Sequence, residues 1–340
     1  MKVALDAQLA VGTATGIGEY VHGLAAALRD LGVDVATLAE ATLSPWRFDR
    51  RLLWDQVLLP RRAARSGADL LHCASGTMPL FLPLPTVVTV HDVAWLRVQN
   101  HARFYARTYF GAFSLARYRH ARRIVVDSTF SRTELCEFGG IDPACVDVVY
   151  PGVAPEYARL QRRSDGTTIL AVGTVERRKN LAVLIRALPA VPYARLVSVG
   201  PRTPYAQECL ALAGRLGVAQ RVELRGYVSR AELIALHAEC AVAAVPSRYE
   251  GFGYAAAQAL CAGVPLVVSD AGSLPEVVGD GAPLIAPDDG QAWAAALREA
   301  LGSSQAQLRA EALRAGAVTR FAWPAMAQAM TGVYQRALAT

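Results

Sequence analysis

Short runs of Val, Ile and Leu alternate along this chain with segments whose apolar positions recur every three to four residues. The runs read as strands buried on both faces of a parallel sheet, and the periodic segments as the helices that cover them. In the first half, strands are expected at 3–5, 33–38, 69–72, 87–90, 124–126 and 146–149. In the second half they are expected at 169–172, 196–199, 222–224, 242–245 and 266–268. Residues 18–31 place Val21, Leu24, Ala25 and Leu28 on one helical face and stop at Gly32, a suitable cap. A last amphipathic segment, 323–338, has no strand after it and is expected to pack back across the first domain. The alternation as a whole predicts an α/β fold of parallel sheets wrapped by helices.

At 340 residues the chain exceeds what one core supports, so two α/β domains are expected, with a cleft between them. After Tyr150 come Pro-Gly-Val-Ala-Pro and then the polar stretch QRRSDG, which places the boundary in this region. The expected division is 1–155, 156–322 and a terminal helix, 323–340. Hydrophobic residues make up 53% of the chain and charged residues 19%, enough to bury a large core.

The net charge of +6 is unevenly spread. From Arg97 to Arg123 there are seven arginines and no acidic residue. A second cluster, Arg47, Arg50, Arg51, Arg61, Arg62 and Arg65, is interleaved with Trp46, Phe48, Leu52, Leu53, Trp54, Val57 and Leu58, as in an amphipathic helix. Such a surface suits an anionic membrane or a phosphorylated acceptor, or is simply a solvated rim. Neither cluster carries a nucleic-acid reading motif, so no nucleic-acid partner is expected. The six cysteines form no C-x-x-C pair and read as reduced core residues, without a metal site. No apolar run is long enough to span a bilayer, and Asp6 interrupts the start where a signal peptide would need apolar residues. A cytoplasmic protein, peripheral on the membrane at most, is expected.

In an open parallel sheet, ligands bind beyond the carboxyl ends of the strands, which directs attention to four loops. The first is Gly12-Thr-Ala-Thr-Gly16-Ile-Gly18, where glycines and a helix N-terminus offer backbone amides to a phosphate or sugar oxygen. It lacks the dinucleotide fingerprint, since Val21 stands where the third glycine would be. The second runs from Gly173 to Asn180, where Arg178 and Lys179 suit a diphosphate without help from metal and Asn180 reads as a helix N-cap. The third, Pro246 to Gln258, carries Glu250 and Gln258 eight residues apart, both able to face a polyol. The fourth is His91-Asp92, whose imidazole could bond a hydroxyl or stabilise charge.

With these loops in place, nearly the whole chain resembles glycosyltransferase family 4, the retaining enzymes of GT-B architecture with two Rossmann-like domains. The resemblance is carried, in order, by TGIGEYVHGLAAAL, TVVTVHDVAWL, VVDSTFSRTEL, VVYPGV, LAVGTVERRKNLAVLIRAL, VELRGYVSRAELIALHAEC and PSRYEGFGYAAAQALCAGVPLVVSDAGSLPEVVGDGA. It implies an acceptor-binding first domain, a donor-binding second domain and a terminal helix crossing back. It also implies that Arg178 and Lys179 hold the donor diphosphate, that Glu250 meets the transferred sugar, and that Phe252, Gly253 and Tyr254 line phosphate and sugar through their backbone. Gly16 and Gly18 would approach the donor phosphate or acceptor, His91 would lie beside the sugar, and Tyr227 and Val228 would flank the base. Two positions depart from the family: Gln258 replaces the second glutamate of its Glu-x7-Glu pair, and Glu19 the arginine after Gly-Ile-Gly.

The resemblance thus implies a hexosyltransferase that takes a nucleotide-diphosphate sugar, GDP- or UDP-type, as donor substrate, with no cofactor and no metal. A glycan or lipid-linked acceptor is implied, in cell-surface polysaccharide synthesis. Three other readings compete. A nicotinamide-dependent dehydrogenase is opposed by the missing fingerprint. A nucleotide-sugar epimerase would need no acceptor. A non-catalytic sugar-binding protein is suggested by Gln258 and opposed by Glu250, Arg178, Lys179 and His91.

Overall fold

The structure, a computed structural model, describes residues 1–12, 16–97 and 108–339. Arg103 and Arg107 of the arginine-rich segment, and positions 13–15 of the glycine turn, lie outside the described residues. The chain forms two compact units, one of Met1–Gly152 with Ala322–Thr340 and one of Val153–Phe321.

The first unit holds six parallel strands: β1 (Lys2–Asp6), β2 (Asp34–Leu38), β3 (Leu70–Cys73), β4 (Thr86–Val90), β5 (Arg123–Val126) and β6 (Val146–Val148). Their order is β2-β1-β3-β4-β5-β6. Both faces are covered, which is why β3 and β4 are buried throughout and read as unbroken apolar runs. On one face the helix Gly16–Asp30 packs Val21, Leu24 and Leu28 into a core shared with Met326, Met330, Val333 and Tyr334 of the terminal helix Trp323–Ala339. That helix enters through a slot lined by glycines. A Cβ built on either Gly23 or Gly152 would lie 2.2 Å from the Trp323 indole, so no larger residue fits beside it. Under the same face a chain of hydrogen bonds links Tyr334 to His72, His72 to Thr89 and Thr89 to Tyr20, tying both helices to β3 and β4.

The segment 46–65 is not one amphipathic helix with a basic face. It is two short helices, Phe48–Leu53 and Leu59–Arg65, joined by a π-helical turn, Trp54–Leu58, that breaks the 3.6-residue periodicity. Trp54 is fully buried and donates its indole N–H to Asp6 at 2.9 Å. Arg51 is buried as well, 2.9 Å from Asp55 and 3.6 Å from Asp6, and donates to Ser75 and Thr77. Two buried carboxylates draw this arginine inward, so it belongs to the core and not to an anion-attracting rim. Arg47 and Arg50 remain outside, flanking Asp49.

The second unit holds β7 (Thr168–Val172), β8 (Arg195–Val199), β9 (Val222–Gly226), β10 (Val242–Val245), β11 (Leu266–Ser269) and β12 (Leu284–Ile285), all parallel. Their order, β12-β11-β10-β7-β8-β9, runs outward from the first strand to one edge and then back to the other, the doubly wound order of a Rossmann-like unit. The direction reverses between β7 and β10. Strand β12 and the helices Gly290–Gly302 and Ser304–Arg320 are absent from the expected element set. The QRRSDG stretch lies within this unit, where the backbone N–H groups of Arg163 and Asp165 bond the end of the helix Arg230–Glu239.

Candidate functional site

At the switch point of a doubly wound sheet the loops leaving two adjacent strands diverge and open a crevice between them. In the second unit those strands are β7 and β10, and their loops carry Arg178 and Lys179 on one side and Glu250 on the other. Lys179 Nζ donates to Glu250 Oε1 at 2.6 Å, and Arg178 Nη1 lies 3.5 Å from Glu250 Oε2. Ser247, on the β10 loop, donates to the same Oε1 at 2.6 Å. Burial pushes the Glu250 carboxyl up, but the charges of Lys179 and Arg178 and the bonds from Lys179 and Ser247 outweigh it. The net effect holds Glu250 below the usual carboxylate range, so it is ionised at neutral pH.

Each member of the cluster is placed by backbone. Lys179 passes over Gly173, where an added Cβ would lie 3.4 Å from its Cε. Arg178 also bonds Glu176 and the Tyr249 carbonyl, and the Arg248 N–H donates to the Arg178 carbonyl, fastening the two loops together. Gly272, after β11, comes so close to Glu250 that a Cβ would stand 2.6 Å from its carbonyl oxygen, and Ser273 bonds that oxygen through both N–H and hydroxyl. A small recess lies beside the cluster, lined by Gly173, Thr174, Lys179, Ser198, Val245 and Ser247.

The remaining expected residues of this unit are spread around these loops. Gly253, at φ +90°, turns the chain into the helix Tyr254–Cys261, and a Cβ there would strike Leu274. Phe252 points inward, edge-on to Phe321 at 5.7 Å and tilted against Tyr254, so only its backbone remains for a ligand. Gln258 sits on the buried side of the helix, and no partner for its amide is found among the described residues. Tyr227 and Val228 leave β9, two strands from β7, with Tyr227 54% exposed. Asn180 does not cap as expected. Its backbone is left-handed, at φ +54°, and its side chain turns away to donate to the Pro287 carbonyl and accept from Arg248.

Gly16, Gly18 and His91 belong to the first unit. Gly16 opens the helix Gly16–Asp30, and Gly18 is buried in its first turn. His91 follows β4 with both ring nitrogens engaged, Nδ1 at 2.7 Å from Asp127 and Nε2 at 3.0 Å from the Ala74 carbonyl. Among the described residues no three His, Cys, Asp or Glu side chains are grouped to hold a metal ion. Neither is any described helix long and apolar enough to cross a membrane. Sequence reasoning missed Ser247, Gly272, Ser273 and Asp127. Only Ser247, three residues before Glu250, carried a local signal; the others arrive from separate strands.

Residues 156–317 match the family model for glycosyl transferases group 1, and residues 14–157 match that for glycosyltransferase family 4. Among curated proteins, a D-inositol 3-phosphate glycosyltransferase of Mycobacterium marinum is 31% identical over 236 residues, 64% of this chain and 51% of that protein. One of Kineococcus radiotolerans is 32% identical over 251 residues, 64% of this chain and 58% of that protein. The chain thus spans about half the length of the curated relatives it matches. Two solved structures share the fold end to end. Sucrose-phosphate synthase from Thermosynechococcus elongatus superposes with a TM-score of 0.73 at 22% identity, covering 99% of both chains. Anabaena HepE in complex with UDP and glucose gives 0.74 at 19%, covering 98% of this chain and 99% of that one.

Proposed function

Since the chain belongs to glycosyltransferase family 4 and has the GT-B fold, we propose that it moves a hexose-type sugar from a GDP- or UDP-type nucleotide sugar to a glycan or lipid-linked acceptor. The observation that carries this reading is the Lys179–Glu250–Arg178 cluster at the switch point of the second sheet. A donor diphosphate is more highly charged than one carboxylate and competes with Glu250 for Lys179 and Arg178. Its arrival frees the Glu250 carboxylate to accept hydrogen bonds from sugar hydroxyls. Breaking the bond between the anomeric carbon and the phosphate leaves negative charge on the diphosphate, where two fixed cations stabilise it. The backbone of Phe252, Gly253 and Tyr254 lines the same place, Gln258 reaches the ribose, and Tyr227 and Val228 flank the base.

In this reading the second unit holds the donor and the first the acceptor, with Gly16 and Gly18 approaching the donor phosphate or the acceptor and His91 beside the transferred sugar. The acceptor hydroxyl attacks the face that the nucleotide leaves, and a departing phosphate oxygen takes its proton, which retains anomeric configuration. Charge neutralisation by the protein lets the reaction run without metal. The enzyme acts in cell-surface polysaccharide synthesis, in the cytoplasm or peripheral on the inner face of the membrane. The relatives' name makes D-inositol 3-phosphate the first small acceptor to try.

The experiment is a transfer assay across a panel of nucleotide sugars with Lys179→Ala. Loss of one cation at the leaving group should cost about 2–4 kcal/mol of barrier. Because it also removes a partner of buried Glu250, the thermal midpoint should fall too, and turnover is compared where the variant is still fully folded. Near-normal turnover by the variant would defeat the assignment. Gln258, which lacks the charge of the family's glutamate, favours one other reading, a sugar-binding protein without turnover. That reading predicts that a nucleotide sugar raises the midpoint of the wild-type chain while no acceptor is ever glycosylated.

A further inference from the structure

His91 and Asp127 leave the neighbouring strands β4 and β5 at their carboxyl ends, and their contact fixes the protonation of the imidazole. With Asp127 ionised, the partners of the two ring nitrogens, a carboxylate oxygen and a backbone carbonyl, can only accept. Both bonds form together only when both nitrogens carry protons, and an imidazole with two protons is a cation. Asp127 supplies a second argument. It is buried, its Oδ1 has no partner among the described residues, and the one side-chain bond found for it there is to His91. A carboxylate so placed is costly to bury unless that partner is charged.

The other groups facing His91 agree. Tyr20 presents its ring edge-on at 4.7 Å, Asp92 follows in the chain, and the nearby His72 is kept neutral by burial, its pKa lowered to about 3. Burial alone would pull the His91 imidazole down, but Asp127, the Ala74 carbonyl and Asp92 together raise it above its ordinary value. We propose that Asp127 is a positioning residue that locks His91 as a doubly donating cation, so that His91 presents a fixed positive charge to the substrate and takes no proton during transfer. The role toward substrate rests on the transferase reading; the locked cation does not.

Nitrogen-15 NMR of the histidine-labelled full chain tests this directly, with His91→Gln identifying the resonance. Both His91 nitrogens should show the imidazolium signature at pH 7.5, with a midpoint above the ordinary value of about 6.5. The isosteric Asp127→Asn should bring that midpoint down by a unit or more, a tenfold shift in the protonation equilibrium. A neutral tautomer at pH 7.5 in the wild type overturns the proposal, as does an unchanged midpoint in Asp127→Asn. If that variant does not fold, the wild-type spectrum decides alone. For transfer itself, kcat/KM should hold steady from pH 7.5 to 6 and fall as pH rises through the His91 midpoint. A tenfold loss per unit on the acid side would instead mark His91 as a base. The spectra need no turnover, so failure of the locked cation and failure of the transferase reading are told apart.

Discussion

Glu250 sits where three donors converge, and its ionisation is tied to folding. A carboxyl whose folded value lies below its ordinary one adds stability that is complete above the ordinary value and is lost as pH falls through the folded value. Urea unfolding of the wild type and Glu250→Gln at a series of pH values should therefore show the two differing least at the acid end, below about pH 4. Curves that run parallel down to pH 3 would mean that the ion pair contributes nothing to folding. The sign is opposite for His91, whose raised value adds stability that is complete below its ordinary value and is lost as pH rises through the folded one. At this scale the sequence was informative where chemistry is local. Arg178, Lys179 and Glu250 could be singled out because each lies in a loop after an apolar run. The carboxylate behind His91 could not, because 36 residues separate the pair and only the adjacency of β4 and β5 joins them.

Among elements, the strands were the most legible, since strands buried on both faces must be apolar throughout. Strand β12, two residues long, leaves no such run. The helix Ser304–Arg320 escaped notice because its surface is mostly exposed and its buried positions include only Ala310 and Ala317, which give little periodic contrast. The segment 46–65 misled in the opposite direction: its apolar and basic residues alternate well, but a π-helical turn breaks the period from Trp54 on and two buried carboxylates draw Arg51 inward. The terminal helix was foreseen, and its entry slot was not, because two isolated glycines 129 residues apart carry no pattern. Gly152→Ala and Gly23→Ala should each cost at least about 1–3 kcal/mol of unfolding free energy by crowding Trp323. In the double variant with Trp323→Ala that penalty should largely vanish, because the added methyl then meets space. Additive losses would show that the glycines matter for some reason other than the indole.

On the scale of the molecule, the first unit leaves large apolar side chains uncovered. Trp46 is 62% exposed, Leu80 and Phe81 more so, and Leu52 and Leu53 lie on the same short helix as the exposed Arg50. Gln56, on the π-helical turn that follows, accepts from the Leu80 N–H, which brings that turn and the loop side by side. Exposed aromatics beside arginine are the composition of a lipid-contacting surface. Sedimentation with anionic vesicles at low salt should pull the protein down, and Trp46→Ser with Phe81→Ser should weaken this several-fold while leaving soluble acceptors unaffected. No association at low salt would remove the membrane from the proposal.

The path of the chain has a consequence for how such a molecule can be taken apart. Residues 153–321 are an insertion between two parts of the first unit, and the insertion's own ends touch, the Val153 N–H donating to the Phe321 carbonyl at 2.8 Å. A piece whose ends are neighbours can be lifted out, and the flanking Gly152 and Ala322 rejoined by a few residues, without stretching either remainder. What looks in linear order like two successive halves is, in assembly, one body that has accepted another as a guest. The two could be exchanged between relatives by a single excision.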